Sequence, residues 1–344
     1  GGDIQVLDLT VSGEITELAV GGTVEASAFI RAVGPNGNIG HVDIDGDFNG
    51  FLFANGAIPI IEIAGDVNGI IRIGGENVVS GVTVDQFTVE GDFAGEFEIL
   101  SGDAGVIDFT RSFGDPAAAG DRLYVNGSVA GLRIGDPTNP AAATLAADVV
   151  IEGDLALLEV VGRIGSTNPA DTDGEIFVGG DLTEFSLVAH STIVGDPLLM
   201  RDVTVGGDLT LLDVTNGDVG DGANAITISV LRDLGELEIN TGDLAAMATV
   251  QSLSGDVVLV DVDTDDLLGD VIADQGQVGA VDVTGSDLGG MIRALSTGDL
   301  TFDGSILGTG SILITGLATL LDVGQDVIAG SSINIGSLPQ FDVG

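Results

Sequence analysis

The chain has no cysteine, no tryptophan and, on inspection, no lysine: its nine basic residues are all arginine. Without Cys there are no disulfides, thiolate metal sites or Cys nucleophiles. Nine cations stand against 54 acids, for a formal net charge of −45. Nucleic acid is a poor partner for such a surface, because binding it requires cationic groups that displace counterions. Anionic membranes are disfavoured for the same reason. Aromatic platforms are scarce too: one Tyr, Tyr124, and two His, His41 and His190, neither in a setting that suggests a base. No apolar run reaches the 18 residues that would suggest a membrane-spanning helix. No Gly-x-Ser-x-Gly elbow, phosphate loop or His-x-x-x-His pair occurs. No signal peptide is visible, and the start at Gly1-Gly2 without Met reads as a processed or trimmed product.

What the chain does have is apolar residues and glycine. Hydrophobic residues make up 44%, mean hydropathy is +0.45 and there are 55 Gly. An interior therefore exists, and the glycines, which follow no collagen-like period, suit tight turns between short strands.

A module organises the chain. Leu123-Tyr-Val-Asn-Gly-Ser-Val129, Val149-Val-Ile-Glu-Gly-Asp-Leu155, Ile176-Phe-Val-Gly-Gly-Asp-Leu182 and Val203-Thr-Val-Gly-Gly-Asp-Leu209 follow one another at spacings of 26, 27 and 27 residues. A period in the twenties marks a stacked repeat. Within each copy, apolar residues two apart put their side chains on one face, which is the strand period. The runs are too short for stable helices. Earlier copies begin at Val42, Ile61 and Phe87, and later, looser ones at Ile226, Val257, Val281, Ile312 and Ser332. Residues 1–40 match poorly, and Thr23–Val33 reads as a strand in preference to a helix. The gap between Phe87 and Leu123 holds an additional strand-like piece at 105–110.

The expected fold is all-β: one β-solenoid domain over 1–344, atypical coils or a cap at 1–40 and repeats over 41–344. Roughly 11 to 13 coils at about 4.8 Å each give a rod on the order of 55–60 Å. Nine of the 13 Phe precede residue 114, so the N-terminal third should have the bulkier interior. Pro-containing insertions at 114–122, 135–147, 165–174 and 195–202 should form one ridge of loops.

Six corner aspartates are the candidate metal residues: Asp47, Asp66, Asp92, Asp154, Asp181 and Asp208. Stacked in register they would lie about 5 Å apart and repel by about 1 kcal/mol per pair in water. Ca²⁺ would relieve this; alternatively, each Asp caps the N–H groups of its own turn. Asp45, Asp47, Asn49 and Gly50 begin like an EF-hand loop, but Gly56 stands where the bidentate Glu is needed. Asp261, Asp263 and Asp265 alternate along one strand face. Arg72, Arg133 and Arg163 each precede an Ile-Gly corner and can offset neighbouring acids within or between rungs. Asn126-Gly-Ser128 is a glycosylation sequon and equally a good turn.

The pattern Val-x-Val-x-Gly-Asp-Leu-x-x-Leu-x-Val at 203–214, less strict at 149–160 and 176–188, resembles the Gly-Asp-rich β-strand-repeat proteins of bacterial surfaces, common in planctomycetes. The resemblance extends over most of the chain after residue 40. It implies an extracellular or cell-surface location and a structural or adhesive role. The leading expectation is a secreted, non-catalytic protein with no required cofactor that joins copies of itself end to end, by strand addition at 4–11 and 333–343, into a filament or surface layer stabilised by Ca²⁺. The alternatives are a monomeric adhesin that binds through the loop ridge, and a polysaccharide-active β-helix enzyme with acids converging beside an Arg.

Overall fold

A computed structural model of the chain describes residues 2–75, 81–115, 120–138, 143–165, 174–189, 197–263 and 265–344. The fold is all-β, a parallel β-solenoid of about 14 turns with 59% of residues in strands. The described residues contain no helix. The chain divides into two units, Gly1–Gly180 and Asp181–Gly344, and each consists of such coils.

In the first unit every coil contributes a strand to each of two parallel stacks. Stack A runs through Leu7–Val11, Ala28–Ala32, Phe51–Ala54, Ile70–Ile73, Glu96–Ile99, Arg122–Val125, Asp148–Ile151 and Ile176–Val178. Stack B runs through Leu18–Val20, His41–Ile44, Ile60–Ile63, Val82–Val89, Asp103–Phe109, Val129–Ile134 and Leu155–Ile164. Between the end of a B strand and the next A strand, single residues form a third column: Ile4, Val24, Phe48, Val67, Phe93, Phe113 and Leu145.

The strands are short because each must turn a corner after a few residues, and alternation decides which side chains point inward. In Ile70–Ile73 and Arg122–Val125 every second residue is buried. The expected strand in Thr23–Val33 is present as Ala28–Ala32. The residues before 41 wind ordinary coils, with Leu18 beside Val42 and Ile4 beside Val24. The first of these coils already carries the corner, Gly2-Asp3 before Ile4, with Asp3 Oδ1 accepting the Thr23 N–H at 3.1 Å; the next has Gly22-Thr23 in its place, and the motif count of 11 to 13 falls short of the observed number of turns.

The interior of this unit is rich in Phe, as expected. Phe87 stacks on Phe97 with centroids 4.1 Å apart, and Phe109 on Phe113 at 4.5 Å. Phe93 meets both Phe109 and Phe113 edge-on at 5.2 Å. All five are fully buried. The large rings fill coils whose inward positions alternate with outward polar ones. Not every early Phe is interior: Phe29 and Phe51 pair on the outer surface at 6.1 Å.

The second unit repeats the plan. One stack holds Val203–Val205, Ile226–Val230 and Ala248–Ser252, and the other holds Leu182–Val188, Leu209–Thr215, Leu234–Asn240 and Val257–Asp263. Three coils are each one long strand that serves both stacks, Asp270–Thr284, Met291–Phe302 and Ser311–Val323, and the next again has two strands, Ser332–Ser337 and Gln340–Val343. Its single-residue column is Val219, Leu244, Leu267, Leu288, Ile306 and Val327.

Much of the expected loop ridge, at 116–119, 139–142, 166–173 and 190–196, lies outside the described residues, as does His190.

Candidate functional site

The six corner aspartates do not form one column. Asp47, Asp66 and Asp92 follow stack B strands and precede the single-residue column, whereas Asp154 follows the stack A strand Asp148–Ile151. In the second unit Asp181 and Asp208 each precede a long strand, Leu182–Val188 and Leu209–Thr215. The same Gly-Asp motif thus serves two different corners. The change falls in the interval between Phe87 and Leu123. There the additional piece is the stack B strand Asp103–Phe109, which places Ile107 beside Phe87.

Each corner carboxylate has a definite partner. Oδ1 of Asp47 accepts the backbone N–H of Asp66 at 3.0 Å, Asp66 accepts that of Asp92 at 2.9 Å, and Asp92 accepts that of Ser112 at 3.2 Å. The Ser112 hydroxyl then accepts the N–H of Thr144. At the other corner Asp103 accepts from Ser128 and the Ser128 hydroxyl from Asp154. In the second unit Asp181, Asp208, Asp233 and Asp256 accept in turn from Asp208, Asp233, Asp256 and Gln277. A parallel series links Asp218, Asp243, Asp266 and Asp287 to Asp243, Asp266, Asp287 and Ser305. In every one of these pairs the acceptor lies one coil nearer the N-terminus. The corner Asp therefore binds the turn of the following coil, not its own. Capping of the residue's own turn does occur, at Asp136 with Thr138 and at Asp221 with Ala223 and Asn224.

The glycine of the motif has a steric reason. A Cβ on Gly65 would lie 2.5 Å from both Asp47 Oδ1 and the carbonyl carbon of Gly46. Coils approach so closely at this corner that only glycine fits before the Asp.

These ladders occupy one oxygen of most of the proposed metal residues. Among the described residues no three His, Asp or Glu side chains are grouped so as to hold a metal ion. Asp181 and Asp208 also pair with Arg232.

The Arg residues act between rungs. Arg72 pairs with Glu98 at 2.5 Å, one coil later. Arg133 sits in register between Asp108 and Glu159, and its Nε lies 3.2 Å from Glu159 Oε2. His41 contacts Glu62 at 3.1 Å on the surface. Asn126 donates its side-chain amide to the Leu100 carbonyl of the preceding coil at 3.0 Å.

One shallow pocket gathers acids beside an Arg. It is lined by Asp108, Thr110, Arg133, Asp136, Glu159 and Val161 with Gly135 and Pro137. Burial holds the Asp108 carboxyl above the usual Asp range; Arg133 opposes this, and Asp136 and Glu159 reinforce it. Asp136 is held low by the hydroxyl and N–H of Thr138. The pocket thus sets a carboxyl of raised proton affinity beside further acids and a guanidinium.

A second acidic arrangement lies in the second unit. Asp213, Glu238, Asp261 and Asp282 are register partners on successive rungs. They stand between inward-facing neighbours such as Val260 and Val262, so all four point outward. The sequence carried a signal for this row, an acid flanked by apolar residues in each copy, but of its members only Asp261 was noticed, in an alternation with Asp263 and Asp265.

The geometry defines the class, a parallel β-solenoid with carboxylate–amide ladders at its corners. No family model, curated protein or solved structure matches the chain.

Proposed function

We propose that this protein is a non-catalytic structural element, acting outside the cell or at its surface, that joins copies of itself by adding coil to coil. The observation that carries the reading is that successive coils join by one repeated interface, a parallel backbone edge with buried apolar partners in register, as Ile292 on Ile312 and Leu300 on Leu321. A coil so built can receive another of the same cross-section, from its own chain or from another copy. Paired strand edges with a buried apolar face are a strong basis for association. The extracellular placement rests on the resemblance of the Gly-Asp motif.

Ca²⁺ or another cation would favour such an assembly by screening a surface of net charge −45. Electron microscopy of the purified chain, with CaCl₂ and then with excess EDTA, tests the reading. Filaments are the expected result, shortened or lost in EDTA if cations contribute. Separate particles at all concentrations and under both conditions would overturn the self-assembly reading.

A second reading is favoured by the Asp108 pocket. A carboxyl of raised proton affinity beside further carboxylates is the kind of pairing glycoside hydrolysis uses. A reducing-end assay over a panel of polysaccharides, with Asp108→Asn as control, tests it. Activity lost in the variant would move the function to that pocket.

A further inference from the structure

Asp261 and Asp282 are adjacent register partners. Among the described residues neither carboxylate receives a hydrogen bond or an ion pair. Their row continues to Glu238 and Asp213 on the preceding rungs and to Thr301 on the next. The flanking positions add Glu236 and Asp263 beside Asp261, and Asp303 beside Asp282. Asp322 and Asp342 follow Thr301 in the same row. Three members have local donors: Thr215 to Asp213 at 3.1 Å, Asn240 to Glu238 at 2.9 Å and Gln340 to Asp342 at 2.7 Å.

The basic residues of this unit are Arg201, Arg232 and Arg293. Arg232 pairs with Asp181 and Asp208, Arg293 with Asp274, and Arg201 donates to the Met200 carbonyl. None of these contacts reaches the row. The comparable row of the first unit is broken up: Asp43, Glu62, Thr88, Asp108, Arg133 and Glu159 stand in register, with an uncharged residue and an arginine among the acids.

We propose that the facing pair Asp261 and Asp282 in this row is a proton-sensitive element that holds its part of the second unit under electrostatic tension at neutral pH and releases it in mild acid. The physical cause is the rung spacing. Strands in a sheet lie about 4.8 Å apart, and unit charges at that separation repel even in water. The solenoid fixes that spacing, so the side chains can relieve it only by splaying or by taking up a proton. One proton shared between two facing carboxyls removes the repulsion and supplies a hydrogen bond.

Burial raises the carboxyls of both Asp261 and Asp282, and the surrounding acids raise them further. A group whose folded-state pKa exceeds its unfolded one binds its proton first in the folded state. Its linkage therefore weakens the fold at neutral pH, and stability is regained as pH falls through the folded value. The row thus acts in the sense opposite to ordinary acid denaturation, over the range just above the normal Asp titration.

The test is amide hydrogen exchange on the full chain, read peptide by peptide at pH 7.0 and pH 4.5 and corrected for intrinsic rates. Peptides covering 234–240, 257–263 and 277–284 should gain protection at pH 4.5. Asp261→Asn keeps the shape and removes one charge. It should raise protection of these peptides at pH 7.0 by about fivefold, the factor equivalent to one such repulsion, and flatten their pH response. Adding Asp282→Asn should bring less than a second equal gain, because the pair shares one repulsion. Raising NaCl at pH 7.0 should mimic the substitution. Unchanged or lower protection in Asp261→Asn at pH 7.0, or a pH response that the substitutions leave intact, would overturn the proposal.

Discussion

The backbone N–H of Asp92 donates to Oδ1 of Asp66, 26 residues earlier, at 2.9 Å. In the opposite sense, the carbonyl of Asp92 accepts the N–H of Val67. One residue therefore joins its coil to the preceding one through both of its backbone groups. A hydrogen bond of this kind contributes about 1 kcal/mol when it is exposed to solvent. Asp66→Ala should lower unfolding free energy by about that much in urea titrations. Asp66→Asn keeps an acceptor oxygen and should recover most of the loss.

Gly65 is a stricter requirement than its neighbour Asp66. Its missing Cβ leaves room for Asp47 and for the Gly46 backbone, and backbone cannot rotate away as a side chain can. Gly65→Ala should destabilise by about 1–3 kcal/mol, the usual range for overpacking. Gly13, which has nothing within 4 Å of its added Cβ, provides the comparison: Gly13→Ala should be nearly neutral in the same titration.

Phe93 touches three other rings, Phe87, Phe109 and Phe113. Truncation leaves a cavity that these stacked neighbours cannot close without moving off one another. Phe93→Ala should cost about 3–5 kcal/mol. The loss is expected in the unfolding of the first unit. Tyr124 is the only tyrosine of the chain, and there is no tryptophan, so tyrosine fluorescence reports that unit alone.

Arg133 restrains the proton affinity of Asp108. With Arg133→Gln the lowering influence goes, while burial and the carboxylates of Asp136 and Glu159 remain. The Asp108 carboxyl, already above the ordinary Asp range, should titrate higher still in a carboxyl-carbon NMR titration. Because its folded value is raised, the Asp108 contribution disfavours the fold above that value and is relieved as pH falls through it. The variant should therefore show a larger gain in stability than the parent chain as pH falls from neutral toward the ordinary Asp range.

The fold was legible because two signals agreed. Apolar residues two apart identified strands, and Gly-Asp corners at a fixed spacing identified coils. Which corner a motif occupies was not legible. Ile61-Glu-Ile-Ala-Gly-Asp66 and Val149-Val-Ile-Glu-Gly-Asp154 look alike because both corners impose the same demands, close backbone approach and an acceptor for the next coil's N–H. Only strand register distinguishes them. The partner of the carboxylate was hidden for a related reason. An Asp in a turn ordinarily binds within that turn, and binding to the next coil depends on a neighbour 18 to 27 residues away. Arg72 and Arg133 do offset acids, and strand register decides between pairing within a rung and between rungs, since both reach acids one coil later. The acidic row from Asp213 to Asp282 was missed because each member, seen singly, is an ordinary outward-facing acid.

The ladders all point one way, and that has a consequence for how such a chain comes into being. A ribosome or a secretion channel releases the chain from its N-terminal side. Each completed coil then already displays carboxylates at the places where the next coil's amides will arrive, so the acceptors are positioned before their donors emerge. Every turn is laid on a prepared surface, and winding can keep pace with release.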